Sequence, residues 1–79
     1  MKQPVFSIQD ILVGFHAPMI SANEMSMKRD FTEWCSNKSE NARADLRLFK
    51  IGEFDDQKGT IKALDVPELI MAGYEVGKE

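Results

Sequence analysis

Few side chains in this sequence are equipped for chemistry, and their spacing excludes most reactions. There is one histidine, His16, and one cysteine, Cys35, well apart in the chain. A metal centre needs several imidazole, thiolate or carboxylate ligands converging, and a lone cysteine rules out an intramolecular disulfide and any zinc site built on paired cysteines. Such a chain suits a reducing compartment. His16 falls between Gly14 and Pro18, in a stretch that reads as a loop, where an ordinary exposed imidazole is expected. Cys35 completes an apolar helical stripe with no base implied nearby, so it reads as a small buried hydrophobe rather than a nucleophile. Asp55 and Asp56 are adjacent carboxylates. Neighbours in a strand point opposite ways, and in a turn aspartates bond backbone amides. Counted from Asp55, an EF-hand loop would put Gln57 at its third position and Val66 at its twelfth, so that match fails. Neither a phosphate-cradling glycine loop nor a Gly-x-Ser-x-Gly turn occurs. The expectation is a binding protein, not an enzyme, with no metal and no cofactor.

Charge is the remaining chemical signal. Thirteen acids against ten bases give a net charge of −3, which argues against coating nucleic acid by bulk charge. The bases are unevenly spread, however. Lys28, Arg29, Lys38, Arg43, Arg47 and Lys50 lie in residues 28–50, beside Asp30, Glu33, Glu40 and Asp45, whereas the last third is acidic. Arg47 and Lys50 flank Phe49, and cations beside an exposed ring are how single strands are held: phosphates meet charge while bases stack. Interleaved charge and ring is also what any half-solvated strand looks like, so composition leaves both readings open.

These residues must be positioned by a small fold. A chain of 79 residues has room for one core, and is expected to form one domain over 1–79. Such a domain buries only about 60–65% of its unfolded surface, so pairing with a second copy or a partner is expected to add stability. Hydrophobic content of 43% with 29% charged residues is that of a folded globular protein. No signal-peptide pattern and no apolar run of ~18 residues is present, so no membrane association is expected.

The first fourteen residues read as a strand, with imperfect alternation that suggests a bulge near Gln9 and Asp10. Ser21 and Glu24 have capping-box spacing, and behind them Met27, Phe31, Trp34 and Cys35 form the stripe of an amphipathic helix over about residues 22–36. The polar run from Asn37 to Asn41 ends it. Leu46 to Phe54 reads as a strand in which Gly52 marks a bulge or close approach. Asp55 to Gly59 has turn chemistry, and Thr60 to Leu64 is the returning strand of a hairpin. After Pro67, the segment Glu68 to Ala72 leans to a strand, because breaks at Gly73 and Gly77 leave no room for a helix. The predicted fold is α+β: one amphipathic helix packed on a small, mostly antiparallel sheet, in the order β-α-β-β with a possible fourth strand.

Specific segments also resemble a known family. Val5-Phe-Ser-Ile-Gln-Asp10, Gly14-Phe15 with Pro18, Asn23-Glu24 with Arg29 and Phe31, and above all Leu48-Phe-Lys-Ile-Gly-Glu-Phe-Asp-Asp56 with Gly59 are similar to the small non-structural protein of gokushoviruses. These are single-stranded DNA phages of the microvirus group. The resemblance spans about residues 4–64 and brings no catalytic residues. It implies a protein that binds DNA late in infection, in the host cytoplasm, at the switch from duplex copying to single-strand synthesis coupled to packaging. Arg29 and Lys50 are the bases inside the matched motifs. The combined expectation is a single-stranded-DNA-binding protein, oligomeric, with Arg29, Arg43, Arg47 and Lys50 on phosphates and Phe49 stacking. The alternative is an adaptor that recruits viral replication or procapsid proteins without touching DNA.

Overall fold

The computed structural model describes residues 1–76. Strand β1 (Lys2–Asp10) is followed by two short strands, β2 (Gly14–Phe15) and β3 (Met19–Ile20), then helices α1 (Glu24–Ser36) and α2 (Glu40–Ala44). Strands β4 (Leu46–Asp55) and β5 (Thr60–Ala72) form a long hairpin, and a 3-10 turn (Gly73–Glu75) closes the described chain. The sheet order is β2-β1-β4-β5, with β3 beside β2 on the same edge of β1, and every pair is antiparallel. The fold is therefore α+β with one main helix, as expected, but the order β-α-β-β is corrected by two early strands and a second helix. Gly77, read above as a break, lies outside the described residues.

The first strand stops at Asp10 rather than running to Val13. The Asp10 carboxylate accepts from the Leu12 N–H at 2.9 Å and its carbonyl from the Val13 N–H at 3.0 Å, which turns the chain. Gly14 then adopts φ +123°, a conformation L residues rarely take, and starts the return strand. Ile11 to Val13 are left as an exposed apolar tip. The ladder irregularity is not at Gln9 and Asp10 but between Val5 and Phe6, where β4 carries Ile51 as an extra residue.

Helix α1 begins two residues later than the capping-box spacing suggests. Asn23 is the N-cap, its side-chain oxygen accepting from the Ser26 N–H at 2.8 Å. Ser21 is held outside by its own N–H, which donates to the Pro4 carbonyl on β1 at 3.3 Å. Met27, Phe31 and Cys35 recur every four residues and are buried against Phe6 and Ile8 of β1, Leu46 and Leu48 of β4, and Val76. Trp34 lies about 60° round the helix from Phe31 and falls at the margin of this core, 36% exposed. The polar run after α1 is not only a loop. Ser39 caps α2 by accepting from the Ala42 N–H at 3.2 Å.

The hairpin follows the expected turn chemistry. Asp55 accepts from the N–H groups of Gln57 (2.9 Å) and Lys58 (3.2 Å), and Gly59 has φ +69°. Gly52 marks both a bulge and a close approach, since a Cβ there would lie 2.6 Å from the Lys62 carbonyl oxygen. Strand β5 runs through Pro67 into the segment of Glu68 to Ala72. A proline is tolerated because β5 is the edge strand and loses no ladder bond on its open side.

Candidate nucleic-acid interface

Directly opposed residues in an antiparallel pair project to the same side of a sheet. Phe6 and Ile8 face α1, so Val5, Ser7 and Gln9 face away from it. Their partners on β4 follow. Ser7 opposes Phe49 and Gln9 opposes Arg47, which places Phe49 and Arg47 together on the face opposite the helix. Phe6 opposes Lys50, which places Lys50 on the helix side. The structure thus brings two of the expected residues together and separates the third.

Phe49 is half-buried against the ring of Phe15, with centroids 5.5 Å apart, on the open face and outside the main core. The Arg47 guanidinium lies 5.4 Å from the centroid of Tyr74, whose ring is half exposed. Its Nη1 donates to the carbonyls of Ala44 (2.6 Å) and Leu46 (3.0 Å), so the side chain is tied to the C-terminal end of α2. Lys50 instead forms an ion pair with Glu53 at 3.6 Å and lines a shallow cleft with Lys2, Pro4, Asn23 and Glu24. Arg43 donates to the Lys38 carbonyl at 3.3 Å, and Arg29 is exposed on the outer side of α1.

A second ring–cation pair lies outside the residues expected to form the site. Lys38 Nζ sits 4.3 Å from the centroid of Trp34, and the His16 ring meets the same indole edge-on at 6.3 Å. Lys38 and Arg43 also bear on Cys35: burial pushes the thiol pKa up, and their charges pull against that rise without reversing it. Cys35 is fully buried, as the sequence suggests, and is no nucleophile in reach of solvent. Lys38 precedes α2, Arg43 lies within it and Arg47 follows it. Two of these three cations sit over a ring, and Glu40 and Asp45 lie in the same stretch. Lys38 lies just past the Asn37 C-cap of α1, four residues after Trp34, and that short separation is the signal that points to this pair. Tyr74 reaches Arg47 only through the fold.

The described residues hold no cluster of three or more potential metal ligands. No helix among them is long and apolar enough to cross a membrane. An apolar groove of about 630 Å³ runs between α1 and residues 16–21, lined by Ile8, Met19, Met27, Phe31 and Trp34 with His16 and Asp30.

The architecture is that of a small two-layer α+β domain, with two ring–cation pairs in the residues flanking α2 and a sheet face opposite the helix. The family model described as phage ORF5 protein matches residues 3–76, and the chain belongs to that family. No curated protein and no solved structure matches it.

Proposed function

We propose that this chain is a non-structural phage protein that binds single-stranded DNA, acting in the host cytoplasm where genome replication turns to single-strand synthesis and packaging in a phage of the microvirus group. Family membership supports a phage protein, and the resemblance of its central motifs to the gokushovirus protein supports the finer reading. The observation that carries DNA binding is the pair of exposed rings, Trp34 and Tyr74, each with a cation over it, on either side of α2. Bases stack on such rings in any sequence, while Lys38, Arg43 and Arg47 meet phosphates. A chain of net charge −3 needs this local patch, and its binding weakens steeply with salt.

Fluorescence anisotropy of a labelled oligothymidylate of roughly 16 nucleotides tests the proposal at low salt. Micromolar protein raises the anisotropy, and the emission of Trp34, the one tryptophan of the chain, is quenched by stacking. Arg47→Ala and Lys38→Ala each weaken binding and flatten the salt dependence by about 0.7 in log–log slope per lost phosphate contact. Lys50→Ala, at a residue that is paired with Glu53 and lines a separate cleft with Lys2 and Asn23, changes little. No anisotropy rise at low salt refutes direct binding.

An adaptor that recruits viral replication or procapsid proteins is the second reading, favoured by the apolar sheet face opposite α1. Nuclease-resistant co-purification of a viral partner, without DNA binding by the isolated protein, supports it over the first.

A further inference from the structure

We infer that the sheet face opposite α1 is an interface with a second copy of this chain. The register places Phe15, Ile20, Phe49, Phe54, Ile61 and Leu69 on this face. Ile61 (59%), Leu69 (55%), Phe15 (49%) and Ile20 (48%) are exposed there, although each is large and apolar. Lys50, Glu53, Asp55, Lys62 and Glu68 all project to the helix side, by the same register. Arg47, at the end of β4, is the one charge that the described register puts on the open face. On a chain with thirteen acids, this face carries none at a registered position.

The area points the same way. A compact monomer of 9.0 kDa is expected to expose about 4,900 Å². This chain exposes 5419 Å². The excess, roughly 500 Å², is shared by this face and the exposed tip at Ile11 to Val13, and is of the order of what one partner of a small specific interface contributes, about 600 Å². The flat shape, 40 × 23 × 16 Å, agrees with a helix layer and a sheet layer whose second side is uncovered.

A copy of the chain fits this surface better than the other candidates. Phe15 and Phe49 pack on each other here, and Arg47 is the one registered cation, where a single strand needs a row of charges along its backbone and an anionic membrane needs a basic cluster. Two such faces meeting bury no acid and no unpaired charge, apart from Arg47 at the end. Packed face to face about 10 Å apart, they give helix, sheet, sheet and helix layers, with the inner side chains forming a second core. The inference does not rest on DNA binding.

Sedimentation velocity of the full chain from about 1 to 200 µM tests it, in the range where interfaces of this size are half-populated. A concentration-dependent species of twice the monomer mass is expected. Ile61→Lys and Leu69→Lys are exposed substitutions that leave the helix-side core intact, and each weakens dimerisation at least tenfold. Met25→Lys, which changes a still more exposed apolar residue on α1, leaves it unchanged. Circular dichroism checks that each variant folds. Isotope-filtered NOEs between Leu69 and Phe15 of different copies provide a readout on the wild type. A monomer at every concentration overturns the inference, as does a dimer weakened by Met25→Lys but untouched by the two sheet variants.

Discussion

Gly73→Ala is expected to destabilise the chain, and for a different reason than a substitution at an exposed glycine. Gly73 is buried, and its φ is not positive, so the constraint is space rather than conformation. A Cβ built there overlaps the carbonyl oxygen of Arg43 and comes within 3.1 Å of the carbonyl oxygen of Leu46. Both are backbone atoms at the end of α2 and the start of β4, so no side chain can swing aside. Either the 3-10 turn lifts or α2 shifts. Lifting the turn withdraws Val76, which is 4% exposed and part of the core, and re-exposing a valine costs about 1.5–2 kcal/mol. It also separates Tyr74 from Arg47, a contact worth about 0.5–1 kcal/mol at an exposed site. The sum, about 2–3 kcal/mol, is a large part of the ~4–12 kcal/mol expected for a chain of 79 residues. Gly59→Ala is the comparison: nothing lies within 4 Å of its Cβ, but φ is +69°, so the cost is conformational, about 1–2 kcal/mol. Urea unfolding followed by Trp34 fluorescence and circular dichroism measures both. A Gly73→Ala change below about 0.5 kcal/mol, with the slope unaltered, would refute the packing argument.

Three further outcomes follow from the geometry. Asn23→Ala removes the side chain that accepts from the Ser26 N–H and costs about 1 kcal/mol, whereas Ser21→Ala costs little; equal losses in urea unfolding would restore Ser21 as the cap. Phe31→Ala empties the centre of the core, where Phe31 is fully buried, and costs about 3–5 kcal/mol; a cooperative transition near the wild-type midpoint would contradict that placement. Cys35 has its pKa raised in the folded state, so its contribution to stability is full below the unfolded value near 9.0 and is lost as pH rises through the folded one. Unfolding midpoints therefore fall above about pH 9, more steeply in wild type than in Cys35→Ala, and parallel profiles would remove Cys35 as the cause.

The elements with sustained period or strong turn chemistry are legible in the residues themselves. Met27, Phe31 and Cys35 repeat every four residues over thirteen helical positions, and Asp55 to Gly59 dictates a turn whatever surrounds it. Strands of two residues, such as β2 and β3, carry no period, and the five residues of α2 are too few to display one. The candidate site is harder to read for a different reason. Arg47 and Lys50 flank Phe49 in sequence, but a strand alternates sides, so only the residue two positions away shares the face of Phe49. That division follows from the spacing alone. The pairing of Arg47 with Tyr74 does not, because it depends on β5 returning the chain to the start of β4.

The two free boundaries of the sheet are treated in opposite ways, and the contrast decides how the molecule meets others. The outer edge of β5 is broken by an extra residue at Ile70, by the irregular run between Ala63 and Glu68, and by Pro67. Lys62 and Glu68 add charge along the same strand. Bulges, a proline and charges are the devices that keep an edge from pairing with another strand. The open face has none of them: its registered positions are apolar or uncharged up to Arg47, and four of its large side chains are about half exposed or more. Association through the open face is left free while association through the β5 edge is hindered, and the Lys62 and Glu68 side chains, on the helix side, stay outside the contact. A strand-swapped or edge-paired dimer therefore requires unpairing the 64–67 irregularity, whereas the face-packed dimer requires no change in the backbone of either copy.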